Sequence, residues 1–197
     1  MINPKAIDPA ASPLLAQIHA QIDGCQKCPL YQGNKYYVPG MGTEQTDILF
    51  IGEGPGKNED LQGLPFVGAS GKFLDELLAS VGLDRAKIYI TNVVKCRPPE
   101  NRDPLPSEMA ACDPYLEAQI LVINPKIIVT LGRYSMAKFL PNVKISEVHG
   151  QPKRRASDGR IIFPSYHPAV ALYNGGMRDT LKADFQKLPK ILEQLSK

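Results

Sequence analysis

The run Leu49-Phe50-Ile51-Gly52-Glu53-Gly54-Pro55-Gly56 constrains the fold of this chain more than any other stretch. Asp47–Ile51 reads as a buried strand, and it empties into three glycines, a proline and one carboxylate. Glycine lets a backbone approach a ligand closely and adopt positive φ. A rigid strand fixes where such a loop sits. The same residues also build an ordinary tight turn, so at this point both readings stand.

Three further apolar runs carry strand character: Lys87–Val94, Lys126–Leu131 and Arg160–Pro164. The last is the returning arm of a hairpin over Pro152–Ile162 that turns at Asp158-Gly159. Helical patterns lie between them. Phe73, Leu74, Leu77, Leu78 and Val81 share one face, with Ser70 as the expected N-cap and Gly82 as the stop. Ser107 opens a second helix, with Glu108 in its first turn, that runs through Tyr115, Leu116 and Ile120 to Asn124-Pro125. Met136, Phe139 and Leu140 mark a short helix, and Leu181, Phe185, Leu188, Ile191 and Leu192 a closing one. Residues 1–24 carry a weaker helical pattern that starts at Ser12-Pro13 and ends at Gly24.

Strand alternating with helix argues for an α/β chain with a largely parallel central sheet. Ligands of such sheets bind at the carboxyl ends of the strands. Here those ends carry Gly52–Gly56, Asn92–Cys96, Gly132 and Ser165–His167. Three of the four hold polar groups of the kind chemistry uses, which turns the Gly-rich loop from a turn into a site.

A chain of 197 residues corresponds to a single domain able to bury a sizeable core. Its net charge of +3 permits nucleic acid as a partner without demanding it. There is no basic segment followed by an apolar run, and no stretch approaches the ~18 apolar residues of a membrane span. The expected location is cytoplasmic, with no membrane partner, and in that reducing compartment the four cysteines do not read as two disulfides. Cys25 and Cys28 are separated by two residues, Cys96 and Cys112 by fifteen. Two such pairs read as a four-thiolate metal site, compatible with zinc or iron–sulfur. The competing reading is four buried thiols acting as small hydrophobes. Prolines and polar loops beside Cys25, Cys28 and Cys96 favour the metal. No Lys-Ser or Lys-Thr follows Gly52–Gly56, so the loop is not a P-loop.

Glu53-Gly54-Pro55-Gly56, Leu64-Pro65-Phe66-Val67-Gly68, Thr91-Asn92-Val93-Val94-Lys95-Cys96 and His167-Pro168-Ala169 follow one another in this order. With the four cysteines they resemble the family 4 uracil-DNA glycosylases, the iron–sulfur group of that superfamily, from about Cys25 to about Lys190. The resemblance implies a three-layer α/β/α sandwich around a four-stranded parallel sheet. It also implies a [4Fe-4S] cluster on Cys25, Cys28, Cys96 and Cys112, and removal of uracil from DNA. By the same resemblance, Glu53-Gly54 lines the uracil pocket, Phe66 stacks on the base, Asn92 reads its polar edge and His167 contacts a carbonyl. These roles suit the residues: a flipped base is held by stacking and edge contacts, and a histidine donor stabilises the departing base.

Two departures carry weight. The best-known branch of the superfamily places a water-positioning aspartate where this chain has Gly54; family 4 carries Ala or Gly there. The water-activating carboxylate is then sought in Glu59 first, with Glu53 and Asp60 as alternatives. Leu172 matches the residue that wedges into the duplex. Tyr173 follows it where relatives often have an arginine, which leaves Arg178 as a replacement. Further DNA contacts are expected from Lys57, Lys95, Arg97, Arg102, Lys153, Arg154 and Arg155. The implied enzyme is a monomer acting on uracil-containing DNA, single- or double-stranded, with room for DNA repair or replication clamp partners. A branch that binds uracil-DNA covalently carries a basic, histidine-bearing insertion after the Asn92 motif. Residues 97–106 have no histidine, which disfavours that reading.

Overall fold

The computed structural model describes residues 1–6 and 10–195; residues 7–9 of the expected N-terminal helical stretch lie outside the described residues. In chain order the elements are α1 (Pro13–Ile22), β1 (Met41–Gly42), β2 (Ile48–Gly52), α2 (Lys57–Gln62), α3 (Ala69–Ser80), β3 (Tyr89–Asn92) and α4 (Pro106–Ile123). They continue with β4 (Ile127–Leu131), α5 (Arg133–Ala137), α6 (Ile145–Val148), β5 (Lys153–Arg154) and β6 (Ile161–Ser165). Helices α7 (Val170–Tyr173), α8 (Met177–Phe185) and α9 (Leu188–Leu195) close the described chain.

The sheet runs β1-β3-β2-β4-β6-β5. Its inner strands β3, β2, β4 and β6 are parallel, as expected, and every residue of β2, β4 and β6 is buried. The expected four-stranded sheet is extended at both edges by an antiparallel two-residue strand, β1 on β3 and β5 on β6. Met41-Gly42 is too short, and lies in too turn-rich a stretch, to show strand periodicity. It pairs because Gly42, at φ +125, lies where any side chain would overlap the Ile88 carbonyl.

Period-two alternation sends the two faces of each strand into two apolar layers. Leu49, Ile51, Tyr89, Ile128 and Ile162 pack with α1 and α4, through Leu15, Ile18, Ile22, Leu116 and Ile120. Ile48, Phe50, Ile90, Val129 and Phe163 pack on α3, α8 and α9, through Phe73, Leu77, Leu181, Phe185 and Leu188. This is the expected three-layer sandwich. Burying each such side chain contributes about 1.5–3 kcal/mol.

Local signals explain most element ends. The Ser12 hydroxyl accepts from the Leu15 amide at the start of α1. Asn124, left-handed at φ 47, ends α4 just before Pro125. Several boundaries differ from the sequence reading. Gly68, not Ser70, occupies the N-cap of α3. Glu59 and Asp60, for which no helix was expected, lie in α2. The single closing helix breaks between Phe185 and Leu188 into α8 and α9.

One polar chain crosses the α1–α4 layer. His19 Nε2 lies 2.9 Å from the Tyr89 hydroxyl, which also accepts from Gln119 Nε2 at 3.3 Å. Gln119 Oε1 accepts from Lys95 Nζ at 2.7 Å, and Lys95 Nζ donates to Thr91 Oγ1 and to the Asn92 carbonyl. Lys95 is therefore fully buried, and the expectation that it contacts DNA is overturned. Its ammonium finds three acceptors inside the protein, which makes burial tolerable.

Burial, with the Lys95 charge adding, lowers the pKa of His19 from 6.5 to about 4. The fold favours the neutral ring, so its contribution is present above the unfolded pKa and is lost as pH falls through about 4. The loss is on the order of 3 kcal/mol. Urea denaturation of the wild type and His19→Leu at about pH 7 and about pH 4.5 checks this. The wild type is expected to lose more stability on acidification than the variant; parallel losses would exclude His19 as the source.

Candidate active site

The inner strand order puts β2 between β3 and β4, so the chain leaves β2 toward one side and later crosses to the other. A crevice opens outside the carboxyl ends at such a switch point. The cleft found there has a volume of about 650 Å³ and is lined by Glu53–Glu59, Phe66, Asn92, Asp103, His167 and Leu172 among others.

The register pairs Gly52 with Asn92 across β2 and β3. A side chain at Gly52 would overlap Asn92 Oδ1 and come within 2.7 Å of the Phe66 ring, so the bare backbone leaves room for both. Asn92 is buried, and its Oδ1 has no hydrogen-bond partner among the described residues. An orphaned buried amide oxygen is rare and marks a place for a donor. At Gly54 a side chain would lie 2.8 Å from Val94 Cγ2 and 3.6 Å from Pro98 Cδ, so those side chains occupy the space a residue there would need.

Phe66 has φ 52, an outlier for a bulky residue. Its ring stacks on His167, with centroids 5.5 Å apart and planes at 26°. His167 follows β6, and its Nδ1 accepts from the Ala169 amide at 3.1 Å. Burial lowers its pKa to about 4, against an opposing pull from Glu59. The ring is thus neutral at physiological pH. With Nδ1 accepting, Nε2 carries the proton and is a donor.

The candidate carboxylates separate clearly. Glu59 Oε1 accepts from the Val67 and Gly68 amides at 2.9 and 2.8 Å, so this group holds the Phe66 loop. Asp60 is buried and accepts from the Lys35 amide at 2.8 Å, outside the cleft. Glu53 lines the cleft; burial, with the Asp103 carboxylate adding and Arg133 opposing, pushes its pKa up to about 7.

The predicted DNA-contacting groups divide in the same way. Lys57, Arg102 and Leu172 line the cleft, with Arg102 ion-paired to Glu108 at 2.6 Å. Leu172 and Tyr173 are both exposed at its mouth. Arg97 donates to Asn101, which also lines the cleft. Arg178 lies outside it, paired with Glu76 at 2.6 Å and 4.2 Å from the centre of the Phe73 ring. Arg154 pairs with Ile161, the first residue of β6, whereas His167 follows the last. Strand rise puts that register roughly 13 Å from the cleft end of β6. Lys153, Arg154 and Arg155 therefore stand at the other end of the sheet edge from the site.

Cys25, Cys28, Cys96 and Cys112 line a second cavity, walled by Ile22, Leu30, Tyr37 and Tyr115, and none forms a disulfide. Burial raises the Cys96 thiol well above its usual range, with Cys112, Cys28 and Cys25 adding. Asn34 Nδ2 donates to Cys96 Sγ at 3.7 Å, and Tyr37 to the Cys25 carbonyl at 3.0 Å. Among the described residues, no three His, Cys, Asp or Glu groups converge as ligands of a single ion.

Sequence reasoning passed over Arg85, Asp103 and Arg133. Arg133 pairs with Asp103 at 2.5 Å, and both bear on Glu53. Only the position of Arg133, next to Gly132 at a strand end, hinted at this. Arg85 lies far from every motif and gave no signal.

The family model described as the uracil DNA glycosylase superfamily matches residues 39–195. The type-4 uracil-DNA glycosylase of Sulfurisphaera tokodaii is 45% identical over 90% of this chain and 84% of its own length. That of Archaeoglobus fulgidus is 45% identical over 90% and 92%. That of Thermotoga maritima is 40% identical over 92% and 96%. By this match over most of its length, the chain belongs to the type-4 branch of the uracil DNA glycosylase superfamily.

Proposed function

We propose that this protein is a DNA repair glycosylase that hydrolyses the bond between uracil and deoxyribose in DNA, releasing uracil and leaving an abasic site. The observation that carries this reading is the buried, unpartnered Asn92 amide oxygen beside the Phe66 ring in a cleft that also holds His167. A flipped uracil offers what these groups lack. Its N3–H meets the Asn92 carbonyl oxygen, and its O4 the Asn92 NH₂. Cytosine has no N3–H and shows an amino group in place of O4, so a fixed amide mispairs with it. Phe66 supplies a stacking face worth ~1–3 kcal/mol.

Cleavage moves the electron pair of the C1′–N1 bond onto the base, and the charge falls on the carbonyl oxygens. A neutral His167 donating from Nε2 to O2 stabilises that anion without first having to lose a proton. Water adds to C1′ and gives its proton to a base. Glu53 fits that role better than Glu59, because its pKa of about 7 suits a base at neutral pH. The two amides on Glu59 suit an anchor. Leu172 at the cleft mouth takes the place of the extruded base in the duplex.

The four thiols in one cavity fit a [4Fe-4S] cluster by donor type and number. Among the described residues the thiols share a cavity without converging as ligands of one ion, which favours a cluster over a single zinc. Bound there, the cluster would tie the segment after α1 to the end of β3 and to α4, as a structural cross-link.

Purified, cluster-loaded protein is expected to release free uracil catalytically from oligonucleotides with U:G, U:A or unpaired U; no release from any of them overturns the reading. Asn92→Ala and His167→Ala are each expected to lose about 10²–10³ in single-turnover rate with an unchanged melting temperature. Normal turnover by both would remove the pocket assignment.

The rate should rise with pH through about 7 as Glu53 loses its proton. In Glu53→Gln that limb is expected to vanish and the remaining rate to be flat. Retention of the limb would assign the base to another group.

Metal analysis of anaerobically purified protein is expected to find roughly four irons and four sulfides per chain. Cys96→Ala should lose iron and melt earlier. Stoichiometric zinc in place of iron would refute the cluster.

A further inference from the structure

Phe66 is held in an unfavourable backbone conformation from both sides. From within the cleft wall, Glu59 Oε1 accepts from the two amides that follow it, Val67 and Gly68. Behind the loop stands Arg85, in the turn between α3 and β3. Its Nη1 donates to the Phe66 carbonyl at 3.0 Å, and its Nη2 donates to the Pro65 carbonyl. The same Nη1 meets Asp75 Oδ1 at 2.8 Å, so the guanidinium is fixed from the far side as well. The side chain is 21% exposed and does not line the cleft.

The geometry leaves the Phe66 carbonyl few alternatives. It presses so closely on the first turn of α3 that any side chain at Gly71 would overlap it. A bulky residue at positive φ is strained and persists only where its surroundings over-determine it. Relaxing φ would rotate the peptide groups on either side of Phe66. It would also turn the ring off His167, with which it is stacked at 5.5 Å. Two guanidinium N–H groups on consecutive carbonyls oppose that rotation, and a planar fork suits the task better than a lysine ammonium.

We propose that Arg85 is a positioning residue for the base pocket, clamping the Pro65 and Phe66 carbonyls so that Phe66 presents its ring as a ready-made stacking face. The functional part rests on the uracil-excision reading above; the clamp itself does not. Arg85 touches no reacting atom and acts through Phe66.

Three variants test this: Arg85→Met, Arg85→Lys and Asp75→Asn. The readouts are hydrogen exchange at the Val67 and Gly68 amides, inhibition by free uracil, kcat and KM on a uracil-containing oligonucleotide, and melting temperature. Arg85→Met is expected to speed exchange at both amides. It should weaken uracil inhibition and lower kcat/KM about tenfold each, beyond anything a shift in melting temperature explains. Arg85→Lys should recover part of both, since one carbonyl keeps a donor. Asp75→Asn, which leaves both carbonyl bonds in place, should stay within about twofold of wild type. Unchanged exchange in Arg85→Met overturns the clamp. Faster exchange with wild-type uracil inhibition and kcat/KM overturns the positioning role. If the wild type releases no uracil, the functional reading falls on its own, and the exchange measurement still decides the clamp.

Discussion

The missing side chain at Gly52 is the constraint on which the cleft depends. β2 and β3 pair in register, so whatever stands at position 52 faces Asn92. Any Cβ there would collide with the Asn92 amide and crowd the Phe66 ring. The space is filled instead by two groups from other parts of the chain, one at the end of β3 and one in the loop before α3. A backbone hydrogen-bond ladder thereby places the Asn92 amide with the precision of a strand, and the Phe66 ring packs against the bare position beside it.

Behind that surface the polar chain from His19 through Tyr89 and Gln119 to Lys95 ties α1, β3 and α4 together. Lys95 sits between two sites. Its ammonium bonds the Asn92 carbonyl, and its neighbour in sequence is Cys96, which lines the thiol cavity. The two cavities thus share one short segment, Asn92–Cys96. A displacement of Cys96 therefore bears on the backbone of Asn92 through four covalent steps and one buried ammonium.

The layered fold was legible because apolar runs bounded by glycine and proline can be little else. The edge strands were less so: two residues carry no period, and β1 forms only because β3 is there to receive it. The cleft was visible as a convergence of strand ends, and Glu53, Phe66, Asn92 and His167 do meet there. What sequence could not separate was the carboxylates. Glu53, Glu59 and Asp60 look alike in a string; burial beside Asp103, two amides and one distant amide make them different. The placement of charge was no more legible. Lys95 is a core residue, and Arg154 pairs with the first residue of β6, because a basic residue's name says nothing of which end of a strand it occupies.

The two short outer strands have a further consequence. An open sheet edge is a template on which another chain can add a strand. Here each edge strand is two residues long, and the outer one beyond β6 is Lys153-Arg154, both exposed. A neighbouring backbone would find almost no ladder to continue and two cations in its path. Association through sheet extension is thereby discouraged at both sides.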